Sequence, residues 1–592
     1  MIQSSNIKNR SEEKVFLALT ALEDFREPTP RLILLNHSCL SPLNLKHYEL
    51  LNPPFGTFQK AEEAFETVNA LYENALPKLV ESLNLVHRVN YGNRFWRIVI
   101  GPWLRYYISS TYDRYSHLKI ATIHYPNFRT ILLSEDSYVN SQDTLEFVCN
   151  LREDAFNLQI YSRILRSLDA KFPCKSFIKK EDLNLKIKPA ITVLDNIKNL
   201  ISRLTSLVAV STKQSIILKS SYFAKSAELR FFIKSFGKVI SIFDQPVESG
   251  SPNEKKIRKN LIELNLGESE FEICLSHLIN FDIPKSFIEN FEMISVDKYK
   301  IYPKKVKAIF SANAWYYDEM FKQWAAQSAE SGTLLLGSQH GGNYGSLAFS
   351  ASENHETAIL DYFYSWGWSR NNCFAKVLPM PSSKLLRIKK MGASNQKEGI
   401  LWVLTEYEKY LNSFPDVPLF CLEYSSRQAR FASLINTELL KRISIRPHSI
   451  DCGWNIAKRL SESYPVLTID SREKTFLESL EVCRLYVADH LSTTFIESLT
   501  ANKPTVLFWN PEETKLREDA APFYEILNHA GILHFSPEEA AVTVNLIYND
   551  VESWWNEPAR QAAVAKFCSQ FGKTSNCAMS LWTEEFKKIS RL

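Results

Sequence analysis

The second half of the chain alternates between apolar runs of strand length and amphipathic runs of helix length, and that rhythm leaves few folds open. "KVKAIFSAN" reads as a strand ending at Asn313, "AWYYDEMFKQWAAQSAESG" as a helix stopped by Gly332, and "TLLLGSQHGG" as the next strand. Strand, helix, strand in that order predicts a parallel, doubly wound sheet. "DYFYSWGWS" adds a short strand, and the Pro-x-Pro pair of "LPMPSSK", Leu378 to Lys384, makes a stiff, extended linker. Beyond it the alternation restarts, with "GILWVLTEY", "ISIRPHSID", "VLTIDS", "RLYVADH" and "KPTVLFWN" as strands and helical runs between them. The expected fold class is α/β: two Rossmann-like doubly wound domains facing a cleft, with helical additions. The expected boundaries are an N-terminal α/β domain with helical insertions over 1–380, a C-terminal α/β domain over 381–555, and a helical tail over 556–592.

A chain of 592 residues is too long for one ordinary core, which agrees with that division. Its 45% hydrophobic and 23% charged content is that of a folded protein. The 70 basic residues nearly balance the 66 acidic ones, and no long basic tract accompanies them, so nucleic acid is not an expected partner. Ten scattered cysteines form no CxxC pair or zinc-spaced cluster, which reads as free thiols in a reducing cytoplasm. The opening "MIQSSNIKNRSEEK" has no apolar centre for a signal peptide. The nearest approach to a membrane span, Phe95 to Ile108, is interrupted by two arginines and a proline. A cytoplasmic protein is expected, with peripheral contact at the inner membrane as a further possibility.

Earlier segments are less regular. "RLILLNHSCLS" starts as a strand and opens into a polar turn at His37 and Ser38. Residues 60–90 have helical spacing, interrupted near Pro77. The aromatic run that follows is helical with a break at Gly101-Pro102, and "HLKIATIHY" reads as a short strand. Surface connections are expected at 181–190 and 248–260.

Three places in the α/β half are built as ligand sites are built, at the carboxyl ends of strands. In the first, His340 follows a strand, and Gly341, Gly342 and Gly345 put three of the chain's 17 glycines within five residues, beside Tyr344. A tight turn needs glycine for positive φ, and so does a ligand that must lie against the backbone. A histidine there can act as general base or hold a phosphate. In the second, Arg446 and His448 flank Pro447, which suits phosphate recognition by a forked guanidinium, or an ordinary solvated turn. In the third, Asp489 and His490 end a strand, and Ser492, Thr493 and Thr494 open a helix with Glu497 one turn on. Hydroxyls beside free N–H groups form an anion site, and the alternative is a Ser/Thr cap close to a capping box. There is no Walker A loop, GxGxxG, HExxH or GxSxG, which argues against P-loop hydrolysis, Rossmann redox chemistry, zincins and nucleophile-elbow hydrolases.

"FLALTALED", "LNLVHRVNYGNRFWRIVIGPWL", "YDRY", "GSQHGGNYG", "SWGW" and "DHLSTTFIESLTANKPTVLFWN" together resemble a family of bacterial surface-polysaccharide transferases, of the kind encoded beside O-antigen and capsule genes. The resemblance spans about residues 15–570. More distantly, the second half is similar to GT-B glycosyltransferases that move Kdo, sialic or other nonulosonic acids from CMP donors. The resemblance implies a nucleotide-sugar donor, CMP-linked by preference, and a glycan or glycolipid acceptor, with no cofactor and no bound metal. It implies that Ser492, Thr493 and Thr494 match that group's Ser/Thr motif, and that Pro447-His448 stands at its His-Pro motif with the order reversed. The group's paired-carboxylate motif has no counterpart here, so the catalytic carboxylate is unassigned. The candidate catalytic residues are His340, Asp113 and Asp318. The candidate donor-binding residues are Gly341, Gly342, Tyr344, Arg446, His448, Ser492, Thr493, Thr494 and Glu497. Another transferase or an epimerase of nucleotide sugars, and a non-catalytic glycan-assembly protein, stay open as rivals.

Overall fold

Two helices near the start of the chain each contain a proline that ought to stop them. Phe58–His87 runs through Pro77, and Asn93–His124 runs through Pro102, in place of the expected breaks. An interior proline costs about 3 kcal/mol. The helices pack on each other, and they bury Phe65, Tyr72, Leu76, Leu79 and Leu83 on one side and Phe95, Trp96, Ile98, Trp103 and Leu104 on the other. Large apolar side chains contribute roughly 1.5–3 kcal/mol each on full burial, so the packing outweighs both prolines. The same packing draws most of "HLKIATIHY" into the second helix, where the burial of Leu118 and Ala121 overrides its strand-like composition.

The computed structural model describes residues 15–40, 47–177, 214–242, 258 and 261–591. The expected connections at 181–190 and, except for residue 258, at 248–260 lie outside the described residues, as does the opening segment to residue 14. The chain forms two units: Met1–Thr192 with Glu248–Asp297 and Glu408–Leu419, and Val193–Val247 with Lys298–Tyr407 and Phe420–Leu592. The expected domain over 1–380 is thus divided, because its first part builds a core of its own around the helix pair. That unit carries a small parallel sheet of β1 (Phe16–Ala18), β2 (Leu32–Leu34) and β3 (Glu49–Leu50), and the pair β4 (Leu132–Leu133) and β5 (Cys174–Lys175). Its 408–419 segment is held by charge, Glu408 to Arg152 at 2.6 Å and Lys409 to Asp154 at 3.1 Å.

The second unit contains both doubly wound sheets. One has β6 (Ile216–Lys219), β7 (Val239–Ser241), β8 (Ala308–Ser311), β9 (Leu334–Ser338), β10 (Tyr362–Ser365) and β11 (Lys376–Pro379), in the order β11-β10-β9-β8-β6-β7. The other has β12 (Ile400–Val403), β13 (Ile443–Arg446), β14 (Thr468–Ile469), β15 (Leu485–Ala488), β16 (Thr505–Phe508) and β17 (Leu533–His534), in the order β14-β13-β12-β15-β16-β17. All their neighbouring pairs are parallel. Every residue of β6, β8, β12, β15 and β16 is buried, as continuous apolar strands covered on both faces require. β11 ends at Pro379 and β12 begins at Ile400, so residues 380–399 connect the two sheets. The expected linker, however, starts as edge strand β11, where Pro379 is tolerated because no further strand needs its missing N–H. The helix expected from residue 314 begins at Glu319, since Asp318 accepts from the Phe321 N–H at 2.9 Å and caps it there.

The helical tail serves both sheets. In Pro558–Phe571, Phe567 packs on Phe495 and Tyr524 with ring centroids 5.8 and 5.2 Å away. In Ala578–Arg591, Trp582 sits within 5.7 Å of the Phe223, Phe310 and Tyr364 rings, and its Nε1 donates to the Pro381 carbonyl at 2.9 Å. Among the described residues no helix is long and apolar enough to cross a membrane. Replacing the fully buried Trp582 by Ala is expected to cost about 3–5 kcal/mol in urea unfolding. A loss below about 1 kcal/mol would show that the tail docks without it.

Candidate functional site

His340 stands two residues beyond the end of β9, and Ser492 four beyond the end of β15, so the two lie at the carboxyl ends of different sheets. The structure brings them together. The Gly342 N–H donates to Thr493 Oγ1 at 3.0 Å. A Cβ on Gly342 would stand 2.3 Å from the Ser492 carbonyl oxygen. The room at Gly342 is therefore taken by the start of helix Thr493–Thr500, and not left for a sugar as the glycine density suggested. Gly345 is needed for a different reason: its φ is +73° and the Trp368 indole lies where a side chain would be. Gly341 answers to neither demand, since a Cβ there meets its nearest atoms at an ordinary 3.8 Å. The loop is pinned further along by the antiparallel bridge of Leu347 with Leu516 and by the Arg517 N–H bonding the Ser346 carbonyl at 2.9 Å.

The His340 ring gives an N–H to the Ala312 carbonyl at the end of β8, and burial pushes its pKa down to about 4. The Tyr344 hydroxyl lies 3.4 Å from Nε2 and donates to Glu356 Oε1 at 3.0 Å. Glu356 is fully buried, which pushes its carboxyl well above the usual carboxylate range, and the nearby Glu353 raises it further. Histidine, tyrosine and glutamic acid thus form a buried chain in which burial disfavours the charged form of each. Tyr222, at the end of β6, stands edge-on to His340 with ring centroids 6.5 Å apart, and Asn313 donates to its hydroxyl at 2.8 Å.

At the other side of the contact, Ser492 occupies the N-cap position of its helix without a side-chain cap bond. Its hydroxyl pairs with Thr494 Oγ1 at 2.8 Å, and Thr494 Oγ1 also accepts from the Tyr486 hydroxyl at 2.9 Å. No capping box forms, because the residue three positions after Ser492 is Phe495. Glu497 lies further along the helix, pairs with Lys384 at 3.4 Å, and has its pKa pushed up by burial. Lys384 also lies 6.0 Å from the Tyr222 ring centroid. Nothing in the sequence distinguished this lysine, which hid in a stretch read as a linker.

The other expected residues are placed elsewhere. Arg446 is buried at the end of β13, bound to Asp470 at 2.6 Å, Ser479 at 3.1 Å and the Lys474 carbonyl. His448 is exposed, with its Nδ1 turned back on the Ile450 backbone at 3.1–3.3 Å. Asp113 lies in the first unit, where it pairs with the fully buried Arg114 at 3.1 Å. Asp318 serves as the helix cap described above, with Lys219 Nζ at 3.6 Å. Among the described residues no group of three His, Cys, Asp or Glu is placed to hold a metal ion.

Two outcomes follow from this geometry. Gly342→Ala is expected to lose about 1–3 kcal/mol, because the new methyl meets backbone that cannot turn aside, whereas Gly341→Ala stays within about 1 kcal/mol. Equal losses in chemical denaturation would refute that distinction. His340 takes up its proton below the unfolded value of 6.5, so stability is lost as the pH falls from about 6.5 to about 4. The amount is on the order of 3 kcal/mol, and His340→Gln is expected to remove it in urea titrations across that range. Glu356, its carboxyl pushed up by burial, acts in the opposite sense and loses stability as the pH rises above its unfolded range.

Comparison with known proteins gives a family and some structural relatives. No curated protein matches the chain. The spinosyn forosaminyltransferase SpnP is similar at 10% identity and TM-score 0.32, over 64% of this chain and 99% of that one. MurG from Acinetobacter baumannii is similar at 12% identity and TM-score 0.30, over 63% of this chain and 99% of that one. A UDP-forming α,α-trehalose-phosphate synthase from Burkholderia vietnamiensis is similar at 10% identity and TM-score 0.32, over 64% of this chain and 96% of that one. The model of the LIC12162 family transferases matches residues 15–586, nearly the whole chain, which therefore belongs to that family of transferases.

Proposed function

We propose that the chain is a glycosyltransferase that moves a sugar from a nucleotide-activated donor, CMP-linked nonulosonic acid or Kdo by preference, onto a cell-surface glycan or its lipid-linked precursor. The observation that carries this reading is the meeting of the glycine loop with the uncapped, hydroxyl-rich start of helix Thr493–Thr500, beside Lys384. A helix N-terminus with free N–H groups favours an anion, and a lysine beside it adds charge. Such groups stabilise a departing nucleotide phosphate. Neutral His340 and Tyr344 are suited to hydrogen-bonding the donor sugar near that bond.

The rest of the donor has a natural path. β13 lies two strands from β15, with β12 between them, which is about 10 Å at ordinary strand spacing. A nucleoside whose phosphate sits at Ser492–Thr494 would reach from there towards the turn of Arg446 and His448. In this reading Arg446 shapes the turn through Asp470, and the exposed His448 is free to meet the base or ribose. Work on a lipid-linked acceptor would place the protein at the cytoplasmic face of the inner membrane.

Thermal stabilisation by CMP, CDP, UMP, UDP, GDP and ADP tests the proposal. A ligand at a hundredfold excess over Kd stabilises the folded state by about 2.7 kcal/mol. CMP is expected to raise Tm, and Ser492→Ala and Lys384→Met are expected to weaken its binding at least about tenfold, a loss of about 1.4 kcal/mol. A response to UDP or GDP in its place would change the donor class, and silence across the panel would overturn the nucleotide site.

A further inference from the structure

β15 is followed directly by Asp489 and His490, two residues for which the donor site has no task. Their strand lies where the strand order reverses, for the chain leaves β12 on one side for β13 and β14 and returns on the other for β15. Val403 and Ala488 pair in register, so β12 and β15 end level with each other. Ligands of doubly wound sheets bind in the opening at such a reversal.

Asp489 is 2% exposed, and both of its oxygens are filled. Oδ1 accepts from the Tyr424 hydroxyl at 2.7 Å and from His490 Nδ1 at 2.9 Å. Oδ2 accepts from Trp402 Nε1 at 3.1 Å and from Gln428 Nε2 at 3.0 Å. The donors come from β12, from helix Phe420–Leu434 and from the neighbouring histidine, so the carboxylate cannot rotate without breaking bonds to separate elements. Tyr424 is fixed in turn, accepting the Thr405 N–H at 2.9 Å. A carboxylate only accepts, so His490 Nδ1 must carry a hydrogen, and the neutral ring is left with a bare Nε2. The His490 side chain is 10% exposed, which leaves one edge open, and the residue stands two positions before Ser492.

We propose that His490 is the catalytic base, taking the proton of the acceptor hydroxyl on Nε2, with Asp489 as the positioning residue that sets its tautomer. This rests on the glycosyl-transfer reading. As the O–H proton passes to Nε2, the acceptor oxygen bonds to the anomeric carbon of the donor. The bond from that carbon to the nucleotide phosphate breaks, and its electron pair leaves on the phosphate oxygen, towards the helix start and Lys384. The products are the new glycoside, the free nucleotide and an imidazolium that returns its proton to water. Asp489 faces the imidazolium charge, the arrangement by which a buried carboxylate supports a histidine base. His340 does not suit this role, since its ring gives an N–H to a main-chain carbonyl and burial disfavours its charged form.

Histidine-selective 15N NMR of the full chain reads the tautomer without any substrate, with His490→Gln assigning the resonance. An unprotonated Nε2 beside a protonated Nδ1 at neutral pH is expected, and the opposite tautomer overturns the proposal. In transfer assays His490→Gln is expected to lower kcat by about 10²- to 10⁴-fold while CMP stabilisation stays as in wild type. Added imidazole is expected to restore part of the rate to His490→Ala. Turnover within threefold of wild type, or loss of nucleotide binding in step with turnover, overturns the assignment. A wild type that binds nucleotide yet transfers nothing across an acceptor panel overturns the glycosyl-transfer reading, and the ring tautomer still decides the dyad by itself.

Discussion

The contact of Gly342 with the Ser492–Thr493 backbone is the constraint on which the rest of the candidate site depends. It joins the carboxyl ends of two separate sheets through an approach that only a residue without a side chain permits. Parallel strands end in loops, and a loop fixed only by its own turns would leave His340 mobile. Here the loop is held at one end by a helix start and further on by the Leu347–Leu516 bridge. The position of His340 is thus set by main-chain geometry, and the glycines are the means of that rigidity more than a sign of looseness.

Around this contact, burial and charge divide the acidic groups into two kinds. Glu353 and Glu356 lie three residues apart on the helix Ala351–Ile359. Glu353 receives Arg370 at 2.8 Å, Arg517 at 3.2 Å and the Gly345 N–H at 2.6 Å, donors that suit a charged carboxylate. Glu356 has the Tyr344 hydroxyl on one oxygen and no hydrogen-bond partner for the other, which suits a protonated group. One helix turn thus holds a carboxylate that anchors the loop and a second acid whose charged form burial disfavours. A charged Glu356 at 3.6 Å would instead pull a proton onto the histidine.

The sequence was most legible where one physical signal dominates. Buried parallel strands such as "AIFS" and "LYVA" are covered on both faces and read as short continuous runs. The hydroxyl run at Ser492–Thr494 and the glycines at 341–345 stood out as candidates because their composition is unusual for a turn, and the structure places them against each other. What failed were places where tertiary packing overrides local preference. Pro77 and Pro102 signal helix ends, yet each sits in a seam whose burial outweighs one missing bond. Arg446 looked like a phosphate ligand, but its partner Asp470 lies 24 residues on and could not be paired with it by pattern alone. Lys384 was hidden for the same reason, since its position depends on where Glu497 and Tyr222 come to lie.

The two strand-end histidines show how far residue type falls short of chemistry. His340 and His490 each follow the last residue of a strand by two positions, one in each sheet. One gives its N–H to a main-chain carbonyl, the other to a carboxylate. A carbonyl dipole can fix a tautomer, but it offers little against the cost of burying an imidazolium. A carboxylate does both, and the four donors on Asp489 set its direction before any substrate arrives. Equivalent placement in the two sheets therefore yields a neutral hydrogen-bonding group on one side of the contact and, on the other, a ring equipped to take up a proton.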